Sequence, residues 1–152
     1  MLDVGQIPEQ TASILERNLT KLKDDTARNM QSNDQVVTGK TLNSLRVEAS
    51  GNIGTLYGAD HIDTLEVGIS PERSRLQTWQ NKFAGFNIWQ QARGLGWTNR
   101  NIASAVSIQE QQGSIMHRFG ITKNVYSGEI DPMMAQIGNE LGDVFLNVKI
   151  VR

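Results

Sequence analysis

The residues best suited to chemistry in this sequence lie around His61. Asp60, Asp63 and Glu66 flank the imidazole, and a histidine among carboxylates can hold a metal ion or transfer protons. Because this segment is predicted as a strand, alternate residues should face opposite sides of it, which separates His61 and Asp63 from Glu66. We therefore expect neither a catalytic nor a metal site here, and an enzyme built on His61 and Glu66 is the least favoured hypothesis.

Two glycine-containing segments share features with nucleotide-binding loops. Residues 38–41 have the sequence TGKT, which matches the last residues of a phosphate-binding loop. Such a loop also needs a glycine five positions before Gly39, where the sequence has Asp34. Gly94 and Gly96 lack the third glycine of a dinucleotide-binding turn and follow a predicted helix instead of a strand. We therefore expect no bound nucleotide or other cofactor.

Charged side chains are segregated along the chain. Residues 72–100 contain five basic residues against one acidic residue, a net charge of +4. Arg75, Lys82 and Arg93 are separated by 7 and 11 residues, close to whole helical turns, and are predicted to line one face of a helix. Residues 124–148 contain no basic residue and four acidic ones, a net charge of -4. Those four are Glu129, Asp131, Glu140 and Asp143.

Three interpretations of these charged segments are open. Opposite patches on two subunits that meet head to tail would set the register between them. In the second interpretation, both patches are ordinary solvated faces without a partner. In the third interpretation, the basic residues bind nucleic acid together with the five of nine aromatic residues that lie between Trp79 and Trp97. The helical spacing of Trp79, Phe83 and Phe86 favours core packing for those three.

The overall composition excludes several classes of protein. The chain has 152 residues, with 15 Lys and Arg against 16 Asp and Glu, and this net charge of -1 argues against a surface devoted to polyanions. With no cysteine and two histidines, a disulfide framework and a structural metal centre are not expected. No secretory signal pattern or membrane-spanning run is found. We expect one domain over residues 1–152 and no membrane contact.

The first element that would position these residues is a helix predicted over residues 8–30. Pro8 fits a first helical turn, where its missing N–H group costs nothing. Leu15, Leu19 and Leu22 recur at steps of three and four and form a narrow apolar stripe between charged residues. Such a stripe is expected to dock on a sheet or on a neighbouring subunit.

The later elements complete an α+β order. Residues 41–49, 53–57 and 62–69 are predicted as three strands of an antiparallel meander, with turns at 33–34 and 51–52. Two or three helices should follow. The first begins at a Ser74/Gln77 capping box and ends before Gly94 and Gly96, and the second runs from Thr98 to Gly120. The last opens at an Asp131-Pro132 cap.

Short motifs occur in an order that matches one known family. Residues 38–45, TGKTLNSL, and residues 62–70, IDTLEVGIS, follow the N-terminal helix. They resemble the first strand and the "Glu, apolar, Gly" signature of the small neck and tail-completion proteins of tailed bacteriophages. Later segments resemble those of the longer members in the same order. These segments are the tryptophan-containing residues 87–96, the alanine-rich residues 102–106, residues 112–114 with the sequence QGS, residues 118–120 with the sequence RFG and residues 125–127 with the sequence VYS.

The resemblance implies a non-enzymatic virion protein without a cofactor, assembled in the host cytoplasm. Such a protein forms a homo-oligomeric ring at the head–tail junction or at the end of the tail. It contacts a portal, adaptor or tail protein and surrounds the path of the packaged DNA. The competing hypothesis is a regulatory protein that binds nucleic acid through a basic helix near residues 73–100. Candidate contacts with a neighbouring subunit or partner are Leu15, Leu19, Leu22, Arg75, Lys82, Arg93, Glu129, Asp131, Glu140 and Asp143.

Overall fold

The computed structural model describes residues 4–146, which form eight α-helices and two strands after a short 3-10 turn at Val4–Gln6. In chain order these are α1 Ile7–Ser32, α2 Lys40–Ser44, β1 Arg46–Ser50, β2 Ile53–Tyr57, α3 Thr64–Val67, α4 Pro71–Arg75, α5 Trp79–Ala92, α6 Asn99–Gln112, α7 Ile115–Arg118 and α8 Ser127–Leu146. The predicted α+β class is confirmed.

Backbone contacts divide the chain into two compact units. Unit 1 comprises Met1–Ala59 and Asn124–Arg152, and unit 2 comprises Asp60–Lys123. The second unit is therefore inserted in the sequence of the first. A single domain over residues 1–152 stays a prediction.

The long helix α1 organises unit 1. As predicted, a proline stands in its first turn, and an apolar stripe packs against β1, β2 and α8. Two polar side chains interrupt the buried stripe and bond to the helix backbone: Asn18 Nδ2 donates to Ile14 O at 2.9 Å, and Thr26 Oγ1 donates to Leu22 O at 2.7 Å. Burial of these groups is tolerated because each is hydrogen-bonded within the helix.

The two strands form an antiparallel hairpin closed by Gly51 and Asn52. Ser50 pairs with Ile53, so the connection is the predicted two-residue turn, and Gly51 adopts a φ of 57° that favours glycine. Gly54 in β2 lies directly under α1, since a Cβ added there would stand 2.6 Å from Leu19 Cδ1. The hairpin thus approaches α1 closely at a position without a side chain.

The predicted meander is wrong at its beginning and its end. The first strand begins only at Arg46, because Gly39, with a φ of 76°, starts the short helix α2 within the predicted 41–49 segment. The third strand, 62–69, is replaced by turns and by α3. Within it, the Thr64 hydroxyl donates to His61 O, and Gly68, with a φ of 81°, ends the helix. Local bonds of this kind compete with strand pairing.

Four of the five helices described in unit 2 begin at serine or threonine caps. Ser70, Thr78, Thr98 and Ser114 each accept a hydrogen bond from the backbone N–H three residues later, at the starts of α4, α5, α6 and α7. Ile102 and Val106 of α6 are fully buried. Helix α6 packs against both α4 and α5. The core of unit 2 therefore lies along α6.

Three predicted helix boundaries in this half of the chain are corrected. The Ser74/Gln77 capping box is wrong because Ser74 is buried inside α4, and α5 begins after Thr78. The helix starting at Thr98 is confirmed but ends at Gln112. Helix α8 begins at Ser127, ahead of the expected Asp131-Pro132 cap, because Asn124 Oδ1 accepts from Gly128 N–H at 3.1 Å and satisfies a first-turn donor.

Candidate interaction surfaces

The predicted leucine stripe is part of the core of unit 1. Leu19 and Leu22 are buried, and Leu15 is half-buried above the hairpin. A Cβ at Gly54 would stand 3.1 Å from the Leu15 Cβ, so this leucine also faces β2. Docking of the stripe on a sheet is confirmed. A role in contacts between subunits is therefore limited to the exposed part of Leu15.

The predicted basic helix face does not exist. Arg75 ends α4, Lys82 lies in the second turn of α5, and Arg93 follows the last residue of α5. Residues 76–78 separate the two helices, so the spacing of 7 residues between Arg75 and Lys82 no longer corresponds to whole turns of one helix. The three side chains are therefore placed by different elements.

Lys82 is a buried structural residue. Its side chain is only 2% exposed, and its Nζ donates to Ser74 O at 3.0 Å and to the Glu110 carboxylate. These contacts join α4, α5 and α6 at one point. The charge of Lys82 is thus compensated inside unit 2, and the side chain is inaccessible to a partner. Nothing in the sequence spacing indicates that Glu110, 28 residues away, is the partner of Lys82.

The Asp63 carboxylate near His61 is also used structurally. Asp63 accepts two hydrogen bonds from the Arg73 guanidinium, at 2.7 and 3.0 Å, and Arg73 donates further to Asp60 O at 3.2 Å. The hydrogen bonds from Arg73 lower the pKa of Asp63. His61 itself is exposed in a turn. Within residues 4–146 no three His, Asp or Glu side chains are grouped so that they could hold a metal ion.

Two of the four predicted acidic residues of α8 contact α1. Glu140 accepts hydrogen bonds from Gln136 at 2.7 Å, from Asn18 at 3.4 Å and from Arg17. The hydrogen bond from Gln136 is the main cause that lowers the pKa of Glu140; burial, the next largest, opposes it, and the hydrogen bonds from Arg17 and Asn18 lower the pKa further. Glu129 accepts from Asn29 Nδ2 at 3.5 Å. Glu140 and Glu129 thus form hydrogen bonds between α1 and α8.

Asp131 and Asp143, the other two, are exposed on α8. A cleft of about 390 Å³ lies between α1 and α8 and is lined at its rim by both signs of charge, from Arg17, Lys21 and Asp25 on α1 to Glu129 and Glu140 on α8. Glu129 and Glu140 accept hydrogen bonds from α1, and Asp25 accepts one from Arg28 within α1. The cleft is thus a consequence of helix packing, and its side chains are not arranged as a nucleophile and base.

A close backbone crossing in unit 2 was not foreseen from the sequence. Ser114 N donates to Ile69 O at 2.9 Å, and Ile69 N donates to Ser114 Oγ at 3.0 Å. Gly68 and Gly113 flank this contact, and both have φ values that favour glycine, 81° and 77°. A Cβ at Gly68 would stand 2.9 Å from His117 N, and one at Gly113 would stand 2.6 Å from Ile69 O. We call these four residues, 68–69 and 113–114, the glycine crossing.

Several large apolar side chains are exposed on the surface. In unit 2 they include Leu76 at 85%, Phe119 at 72%, Ile115 at 61% and Trp79 at 46%. In unit 1, Met134 of α8 is 57% exposed. Clustered exposed apolar side chains are typical of protein interaction surfaces. The helices of the described part of the chain include none long and apolar enough to cross a membrane.

Comparisons with known proteins identify no relative. No family model, no curated protein and no solved structure matches this chain.

Proposed function

We propose that the chain is a non-enzymatic structural protein of a tailed-bacteriophage virion. It would form a ring as a head–tail connector or a tail-completion protein, joining a portal or adaptor to the tail around the DNA path. The proposal rests on the motif order described above. The fold adds support, because two of those motifs, Glu66-Val67-Gly68 and Gln112-Gly113-Ser114, meet in the glycine crossing.

The glycine crossing is the structural observation that supports this proposal. It gives the signature glycine a structural function, since Gly68 is buried and has no room for a side chain. Glu66 is also buried, and its backbone oxygen accepts from Lys123 N at 2.8 Å. A signature that maintains a backbone contact fits a structural protein better than an enzyme, in which signature residues usually contact the substrate.

The test is localisation of the chain in particles of the virus that encodes it. We expect mass spectrometry of purified virions to detect the chain, and cryo-electron microscopy to place several copies in a ring at the neck or at the end of the tail. Absence of the chain from purified virions would contradict the proposal. Monomeric copies scattered inside the capsid would contradict it equally.

The competing nucleic-acid hypothesis has lost part of its support. The predicted basic helix face is made of Arg75, Lys82 and Arg93, and of these Lys82 is buried and paired with Glu110. Duplex binding, measured by fluorescence anisotropy over a range of salt concentrations, separates the two hypotheses. A regulator should lose affinity when Arg75 and Arg100 are changed to Ala. A connector should show weak binding that these changes barely affect.

A further inference from the structure

The corner between α4 and α5 presents an unusual combination of side chains in unit 2. Leu76 is 85% and Trp79 46% exposed, and Arg75 beside them is also exposed. Trp79 packs on Phe83 with ring centroids 5.0 Å apart, which fixes the indole on a rigid helix. These three residues, Arg75, Leu76 and Trp79, are called the α4–α5 corner below. An ordered apolar protrusion beside a cation fits the centre of a protein interface.

The outer face of α8 has the complementary features. Asp131, Met134, Ala135 and Gly138 follow one another at helical steps and are all exposed. Met134 is 57% exposed, and a Cβ added at Gly138 would meet nothing within 4 Å outside its own stretch of helix. This α8 outer face, defined by the same four residues, is therefore a shallow apolar surface with a carboxylate at one end.

The charges of the two units favour contact between one copy and another. Unit 1 has eleven acidic against eight basic residues, a net charge of -3, and unit 2 has five acidic against seven basic, a net charge of +2. Every copy thus carries a negative and a positive unit. Two copies can bring opposite units together, and the contact can repeat because it joins two different surfaces.

We propose that the α4–α5 corner of one copy docks on the α8 outer face of a second copy. Leu76 and Trp79 pack against Met134, Ala135 and the open space at Gly138, and Arg75 faces Asp131. This inference deepens the proposed function by naming the surfaces that join neighbouring copies of the ring. It depends on that function only for the closure of the repeated contact into a ring.

The absence of cysteine from the sequence allows a selective cross-linking test. Full-length Leu76→Cys and Met134→Cys chains, each checked for native circular dichroism, are mixed in equal amounts and oxidised. A disulfide requires Cα atoms about 4.4–6.8 Å apart, so only closely apposed positions react efficiently. We expect the mixed dimer to exceed the share that random pairing gives. The matched control pairs Leu76→Cys with Ile53→Cys, an exposed apolar position of unit 1 outside the α8 face, and should give random pairing.

Charge reversal tests the proposed register. Arg75→Glu in the Leu76→Cys chain should lower the yield of mixed dimer about two- to fivefold, as expected for one exposed ion pair replaced by repulsion. Adding Asp131→Arg to the Met134→Cys chain should restore the yield. Failure of this restoration would overturn the pairing of Arg75 with Asp131.

A bulky residue tests the proposed packing. Gly138→Gln fills the α8 outer face while replacing a helical glycine by a better helix former, so the fold should be retained. It should abolish the excess of mixed dimer, whereas Gly85→Gln, at an exposed glycine inside α5 that also has open space, should not. Random pairing in the unmodified mixture would overturn the proposed docking, even if cryo-electron microscopy shows a ring. Selective pairing together with absence from virions would instead contradict the proposed function alone.

Discussion

At the scale of single residues, a few buried groups determine the local geometry of both units. Asn18 and Thr26 are accommodated in the core of unit 1 by bonding to their own helix. Gly68 and Gly113 allow two backbone segments of unit 2 to cross within hydrogen-bond distance. Each of these residues is small or locally satisfied, which is what close packing without unpaired polar groups requires.

Replacing Gly68 by alanine should destabilise the protein strongly. The new Cβ would have to occupy a backbone conformation with a φ of 81° and would collide with Ser114 Oγ and with His117 N. We expect a loss of about 3 kcal/mol or more in the free energy of unfolding, measured by urea denaturation. Gly94→Ala is the control, since φ at Gly94 is 63° but the space is open. It should cost only about 1 kcal/mol, and equal losses would show that packing at the crossing is loose.

The lowered pKa of Glu140 predicts that the stability of the fold depends on pH. Because hydrogen bonds lower its pKa in the folded state, the carboxylate stabilises the fold above the ordinary glutamate pKa of about 4.3. That contribution is lost as the pH falls through the lower pKa of the folded state. Asp63, whose pKa Arg73 lowers, acts in the same direction.

The measurement compares melting temperatures at about pH 6 and about pH 3. The decrease on acidification should be smaller for Glu140→Gln than for the unmodified protein. Glu16→Gln, at an exposed position of α1, is the control and should retain the full decrease. An unchanged decrease in Glu140→Gln would mean that the hydrogen bonds from Gln136 on α8 and from Arg17 and Asn18 on α1 do not favour the ionised form.

At the scale of elements, the sequence predicts helices with strong periodicity or clear caps and misses those determined by tertiary contacts. The α1 stripe, the 53–57 strand, the Gly51-Asn52 turn and the Thr98 cap are all found in the structure. The third strand was wrong because alternation of apolar residues over 62–69 is a weaker determinant than the hydrogen bonds made by Thr64 and Asp63. An apolar residue at every second position is not sufficient to form a strand when no partner strand is available to pair with it.

The candidate contact residues show the same limit. The segregation of charge along the sequence is a property of composition and is retained by the two units. Which charges are accessible could not be predicted, because the pairings Lys82 with Glu110 and Glu140 with Arg17 join positions far apart in sequence. The glycine crossing could not be predicted from the sequence either, although its two glycines belong to motifs on which the resemblance to the phage family is based.

Removing only one partner of the Lys82–Glu110 ion pair should destabilise the protein. Glu110→Gln leaves the Lys82 ammonium buried without its counter-charge, and we expect a loss of about 2–3 kcal/mol in the free energy of unfolding. The double change Lys82→Met with Glu110→Gln removes the buried charge and should recover part of this loss. Urea denaturation of the single and double variants measures the coupling. A double variant less stable than Glu110→Gln would show that the ion pair itself is strongly favourable.

A helix cap gives a second prediction for unit 2. Thr98 and Asn101 exchange hydrogen bonds at the start of α6, the helix that carries the buried Ile102 and Val106. Thr98→Ala should therefore lower the free energy of unfolding by about 1 kcal/mol. Thr98→Ser, which keeps the hydroxyl, should cost much less. Equal thermal shifts in the two variants would exclude a contribution from the cap.

At the scale of the whole molecule, the net charge of -1 is the sum of two oppositely charged units. Near-neutrality therefore does not mean that electrostatic recognition is absent. It means that attraction is available between different units of different copies, while the molecule as a whole carries little charge to repel its neighbours.

Self-association should accordingly weaken as salt is added. Exposed charges more than about 10 Å apart are largely screened at 0.1 M ionic strength, so raising NaCl from about 0.05 M to about 0.5 M should increase the dissociation constant. Sedimentation equilibrium at constant pH provides the measurement. Association that is unchanged or strengthened by salt would indicate a purely apolar contact and would argue against recognition between the charged units.

The insertion of unit 2 within unit 1 also orders the events of synthesis. The chain leaves unit 1 at Ala59 and returns at Asn124, and α1 packs against α8. During translation, the residues of unit 2 emerge from the ribosome as one continuous stretch and can begin to fold before α8 has been made. Until then α1 can pack only against β1 and β2, and the side that α8 covers stays exposed. The newborn chain therefore exposes the α8-facing side of α1 for the time needed to synthesise the whole inserted unit, which makes this side of the helix a natural site for transient protection by a chaperone.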